Sequence, residues 1–163
     1  MEKNIIRIRF LLATVGLTIL IILSGCSPDF NTDFDPPPPD AEITDVFPDE
    51  IGRMKGVIEK ADLISTVVGF SSTYGEGRIV ISAIHIPTKD AADEYFEHTI
   101  VPNFDKMRNH FRGNVNGKWR ASGTDEKGRK WYGWVNDNWV FLLNGSDKKY
   151  FKMAIDAFKF IEE

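Results

Sequence analysis

Disulfides, nucleophile motifs and metal-ligand clusters are all missing from this chain. Its 163 residues include one cysteine, so no internal disulfide can form. No G-x-S-x-G, H-E-x-x-H or paired C-x-x-C occurs, which removes the familiar hydrolase and zinc patterns. The three histidines, His85, His98 and His110, form no i, i+4 ligand pair with one another. Gly75 and Gly77 lie between strand-like stretches and open no helix, so a phosphate cradle at a helix terminus is lacking. No dense Lys/Arg cluster is present, and nucleic acid is not expected as a partner. No cofactor and no catalytic residue is expected, and the chain reads as non-enzymatic.

What is present begins with an ordered N-terminus. Lys3, Arg7 and Arg9 precede Phe10 to Leu23, "FLLATVGLTILIIL", fourteen residues without a charge. A helix needs about 20 residues to span a bilayer, whereas this length suits the core of a secretory signal. The run ends in Leu23-Ser24-Gly25-Cys26, which resembles the lipobox of membrane lipoproteins. That resemblance implies removal of residues 1–25, lipidation of the Cys26 thiol, and a partner in the lipid membrane itself. Several acyl chains are needed for durable anchoring, since one alone binds only marginally. A short transmembrane anchor and a buried core cysteine are the alternatives. The expected location is the extracytoplasmic side of a cell membrane or outer envelope.

Charge is unevenly spread. Between Ser27 and Glu50 there are eight acidic residues and no Lys or Arg, while residues 51–163 carry 15 acidic and 17 basic. "DFDPPPPDAE", Asp33 to Glu42, favours an extended polyproline II chain of about 3.1 Å per residue. Residues 26–46 are therefore expected to be a lipidated cysteine followed by an acidic, Pro-rich tether, with residues 47–163 as a single domain. A proline-rich ligand for an aromatic groove is the other reading of the tether, and it lacks a basic residue beside the prolines.

Within the domain, the hydrophobic period alternates between 2 and 3.6. Residues 52–60, 63–74 and 77–87 read as strands, with a turn at "YGEG". Thr88 is placed to cap a helix whose Ala92, Phe96 and Ile100 share a face, and Pro102 must break or kink it. Phe104, Met107 and Phe111 mark a further helical stretch. "GKWRASGT", "KWYGWV" and "NWVFLLN" read as strands, with Gly128 suiting a turn and Asn136-Asp137 a tight hairpin. Ser146 is then expected to cap a last helix with an apolar stripe through Phe151, Ala154, Ile155, Phe158 and Ile161. The fold class is α+β: an antiparallel sheet of five or six strands with two main helices, and a β-β-α plan that could be duplicated.

From "GKWRASGT" through "NWVFLLNGSDKKYFKMAIDAFKFI" the order of elements resembles the C-terminal half of PsbP/Mog1-like α+β domains, over about 50 residues. The resemblance rests on element order and implies fold alone.

Two surfaces stand out as candidate sites. Trp119, Trp131, Tyr132, Trp134, Trp139 and Phe141 fall within 23 residues, with Arg120 and Arg129 beside them. Strand alternation sends Trp131 to one face and Tyr132 and Trp134 to the other. Either the sheet is covered on both faces, or one set forms an exposed platform. In the second case Trp131, Tyr132, Trp134, Trp139, Arg120 and Arg129 would contact a protein or glycan partner. The other candidate is "DEYFEH", where Glu94 lies four residues before His98 and Tyr95 between them. These three would line a helix–sheet pocket for a small ligand or a metal, or a weak active site. Asn144-Gly145-Ser146 matches the N-glycosylation sequon. The favoured reading is a membrane-anchored binding or assembly module; the alternative is an envelope protein with a small-ligand pocket.

Overall fold

A computed structural model describes residues 30–38, 40–61 and 67–163. The expected signal segment, Cys26 and most of the stretch between Ala61 and Val68 lie outside the described residues. Eight strands run in the order of the chain: β1 (Glu50–Ile51), β2 (Met54–Lys60), β3 (Val68–Tyr74), β4 (Ile79–His85), β5 (Arg108–Val115), β6 (Lys118–Thr124), β7 (Lys130–Asn136) and β8 (Trp139–Gly145). They form one sheet, ordered β1-β2-β3-β4-β8-β7-β6-β5, with antiparallel neighbours throughout. Helical segments α1 (Lys89–Tyr95) and α2 (Val101–Phe104) follow β4, and α3 (Lys148–Ala157) follows β8.

The expectation of five or six strands is therefore corrected to eight. Strand β1 is two residues long, too short to show any period. Strand β5 was hidden because Phe104, Met107 and Phe111 happen to fall at helical spacing, while almost every side chain of β5 faces solvent. The local signal for it is Asn116-Gly117, both at positive φ (53° and 77°), with Val115 directly opposite Lys118. This is the two-residue turn that matches the twist of an antiparallel pair.

The β-β-α duplication is also overturned. Each half is a four-stranded meander followed by a helical segment, and β4 and β8 meet antiparallel at the centre. A two-fold relation between such neighbours has its axis normal to the sheet and would put both helical segments on one face. Here they lie on opposite faces. Beneath α3, Ala154, Ile155 and Phe158 cover Ile79, Ile81, Ala83, Trp134, Phe141 and Leu143. On the other face Ala92, Phe96, Val101 and Phe104 cover Ile84, Ala121, Val135 and Val140. The choice left open by the aromatic-rich strands is decided by this double cover.

Helix α3 starts one residue later than expected. Asp147, not Ser146, is its N-cap, and its carboxylate accepts from the Tyr150 N–H at 3.0 Å. Just before it, Gly145 leaves no room for a side chain, since a Cβ there would lie 2.2 Å from the Phe151 nitrogen. The sequon at Asn144 is closed as well: Asn144 is 2 % exposed, and its Oδ1 accepts from Arg129 Nη1.

Residues 30–38 run across the α3 face as a strap. Phe30 is buried edge-on against Tyr132 at 4.9 Å, and its carbonyl accepts from Arg120 Nη1. Asn31 pairs with Glu162 in both directions, Lys118 binds Asp33 at 2.6 Å, and Asn136 Nδ2 donates to the Phe34 carbonyl. Val46, Phe47 and Ile51 join the same core. The segment expected to be tether belongs, from Phe30 onward, to the packed domain.

Candidate functional site

The segment after β4 is a helix with a defect in it. Thr88 caps α1 as expected, its Oγ1 accepting from the Ala91 N–H at 3.2 Å, and Lys89 pairs with Asp93 at 2.5 Å. Phe96–Ile100 then widens into a π turn, in which Val101 N–H donates to Phe96 O, five residues back. Pro102 follows in the first turn of α2. It lacks an N–H and would crowd the carbonyl four residues earlier in a regular helix; the wider turn takes up that misfit. Single π turns are rare and occur often at functional sites.

The π turn overhangs a cleft of about 470 Å³ above the β5–β6 hairpin. Glu97 and His98 line it from the helix side, Arg112 and Asn114 from β5, and Trp119 from β6, with Val101 between. Ladder pairing explains why: Arg112 is opposite Ala121 and Asn114 opposite Trp119, so all four sit on the α1 face. Trp119 is half-buried and stacked against Phe96 with ring centroids 6.4 Å apart. Arg112 is held by Asp105 at 2.6 Å. Glu97, His98, Arg112 and Asn114 are all exposed. Among the described residues, Glu97, His98 and Asn114 spend no side-chain hydrogen bond elsewhere. The cleft thus combines an aromatic ring with donors and acceptors of both kinds and contains no nucleophile paired with a base. Its volume is in the range of small-molecule sites.

Of the three pocket residues expected from "DEYFEH", only His98 lines this cleft. Glu94 is exposed on α1 and does not line the cleft. Tyr95 is half-buried, and burial raises its hydroxyl above the ordinary value of 10.0. No group of three or more His, Cys, Asp or Glu converges among the described residues. Arg112, Asn114 and Trp119 escape the sequence reading as cleft residues because Phe104, Met107 and Phe111 suggest a helix where β5 begins; the Asn116-Gly117 turn is the available signal.

The aromatic platform separates into core and support. Trp134 is fully buried, Tyr132 is 2 % exposed and Trp139 is 4 % exposed. Trp139 stacks on Phe141 and lies against His85. Trp131 is half-buried on the other face, and its indole N–H donates to Asp125 Oδ2 at 3.0 Å. Arg120 and Arg129 are half-buried, one on the Phe30 carbonyl and the other on Asn144. Three of the four aromatics therefore present almost no surface to a partner, and the two arginines hold the fold together.

Asp125 organises the β6–β7 turn. Its Oδ1 accepts from the Lys127 and Arg129 N–H groups, both at 2.9 Å, while Gly128 takes φ 82°. Burial pushes its carboxyl up, but the Trp131 hydrogen bond, the two backbone N–H groups and the Arg129 charge outweigh this and hold it below the usual 3.8. A carboxyl with a depressed pKa stabilises the fold above its unfolded value and loses that contribution as pH falls through the lowered one. Asp125→Asn should therefore cost about 1–2 kcal/mol at neutral pH. In thermal unfolding from neutral to acid, the gap to the parent should close below about pH 4. An unchanged gap down to the acid limit would remove the carboxylate from this role.

No family model, no curated protein and no solved structure matches the chain. No helix among the described residues is long and apolar enough to cross a membrane.

Proposed function

We propose that the chain is a membrane-anchored extracytoplasmic lipoprotein whose domain is a non-enzymatic binding module, and that a glycan segment is held in the cleft under the π turn. The anchor rests on Leu23-Ser24-Gly25-Cys26 behind its apolar run. The binding role is carried by one observation: an exposed aromatic-lined cleft bordered by Glu97, His98, Arg112 and Asn114. A sugar ring offers an apolar face to stack on Trp119 and hydroxyls that both donate and accept. Neutral side chains and opposite charges mixed around one ring suit such a ligand better than an apolar one.

Titration of the protein with neutral and acidic oligosaccharides, followed by tryptophan fluorescence and thermal midpoint, tests this. A saturable fluorescence shift should accompany a raised midpoint, because a ligand of the native state stabilises it. Trp119→Ala should weaken binding about tenfold or more, equivalent to ~1.4 kcal/mol. Asn114→Ala, on an exposed strand, should weaken it without lowering stability. Undiminished affinity in both variants, or no response to any oligosaccharide, would overturn the cleft assignment.

A further inference from the structure

Among the described residues strand β5 is a free edge of the sheet, and it carries two of the four large apolar side chains exposed there. Phe111 is 39 % and Val115 is 44 % exposed. Both face the same side as the strap, since Phe111 lies opposite Ser122 and Val115 opposite Lys118. On that face β6 contributes Lys118, Arg120, Ser122 and Thr124; β7 contributes Lys130, Tyr132, Trp134 and Asn136; and Arg108 pairs beside Thr124. No acidic residue of β5, β6 or β7 points to this side. The strap brings Asp33, which is already paired with Lys118, and the exposed Asp35.

The strap also fixes where the anchor can be. Cys26 precedes Phe30 by four residues, which span at most about 14 Å however they are arranged. Phe30 is pinned to Arg120 and Tyr132, and these are one and two strands from β5. A spacer long enough to lift the domain clear of the bilayer does not remain.

We infer that the β5–β6 edge, on the strap side, lies against the membrane that holds the anchor. Phe111 and Val115 enter the interfacial layer, and Arg108 and Lys130 face anionic headgroups, each cation near such a surface being favourable. The occupant of this face is the lipid surface itself. The cleft opens on the opposite face of the same hairpin, away from the bilayer. The inference rests on the proposed lipidation of Cys26.

The test uses the full, processed chain in phosphatidylglycerol-containing vesicles, with a polarity-sensitive fluorophore on Val115→Cys or, as reference, on Val57→Cys at the opposite edge. The position-115 label should be blue-shifted and quenched by brominated lipid, and the position-57 label neither. The intact mass of the same sample reports acylation separately. An acylated chain with equally wet labels overturns the orientation and leaves the anchor standing. An unmodified Cys26 overturns the anchor, and this inference with it. Phe111→Ser, exposed and outside the core, should reduce the quenching at position 115 without loss of folding; unchanged quenching would likewise count against the orientation.

Discussion

Replacing Trp134 by Ala should cost about 3–5 kcal/mol, the range for emptying a buried aromatic site. The indole is fully buried on the α3 face, packed on Phe141 at 5.2 Å, Tyr132 at 5.7 Å and Phe158 at 5.9 Å. It therefore joins β7, β8 and the end of α3 in one contact set, and the cavity would open where the three meet. In a domain of this size the midpoint should drop by more than about 10 °C. Trp134→Phe should behave differently. The Nε1 of Trp134 is buried with no hydrogen-bond partner among the described residues, and a buried donor without an acceptor costs about 1–3 kcal/mol. Phe removes that donor and keeps most of the ring contacts, so its loss should be less than half that of Ala. Chemical denaturation of both variants checks this pair of values. An Ala variant as stable as the parent would make Trp134 a surface residue and return the aromatic strands to the role of partner platform.

Removing the strap should be as damaging. A chain beginning at Asp40 loses Phe30, buried on Tyr132 and Phe151, and with it the pairing of Asn31 with Glu162. It also leaves Arg120 and Asn136 without the Phe30 and Phe34 carbonyls they bind. Phe30→Ala alone should cost about 3 kcal/mol or more. Because whole domains have only about 5–15 kcal/mol in reserve, the shortened chain should unfold at markedly lower denaturant and expose the apolar α3 face. Equal midpoints for the long and short chains would show that the strap merely lies on the surface. The Asp33–Lys118 contact adds a pH signature. The hydrogen bond from Lys118 holds the Asp33 carboxyl below its usual 3.8, so this tie exists above that value and is lost as the pH falls through the lowered one. The practical consequence is a boundary: a soluble form of the domain should begin at or before Phe30.

Placing the fold's packed residues so close to Cys26 changes what an anchored domain can do. With a free acidic tether the domain would sample a wide shell above the bilayer. With the strap docked, the reach from the proposed anchor at Cys26 to Phe30 is at most about 14 Å. Under the proposed anchoring one sheet face would be directed downward, leaving the cleft on the side open to ligands.

The strands with clear alternation, β3, β4, β6, β7 and β8, were legible because their side chains alternate between two distinct environments or carry β-branched residues in series. Thr88 as a cap, Gly128 at positive φ and the α3 stripe were legible because each depends only on neighbours a few residues away. The proposed address, from Lys3 through Cys26, rests on local order and charge alone, in residues outside those the structure describes. The rest depended on distant partners. Strand β5 has no buried face to impose a period, so chance spacing of Phe104, Met107 and Phe111 outweighed its Asn-Gly turn. The acidic, proline-rich composition of residues 33–42 said nothing of Phe30 and Phe34, whose partners lie about 100 residues away. Trp131, Tyr132 and Trp134 could be assigned to opposite faces by alternation, but only helical segments packed on both sides of the sheet made those faces core. The π turn that places His98 beside the cleft arises just before Pro102, and no residue spacing announces it. Local chemistry settled the caps and turns; long-range packing settled which aromatics are core, where the packed domain begins and where a ligand has room.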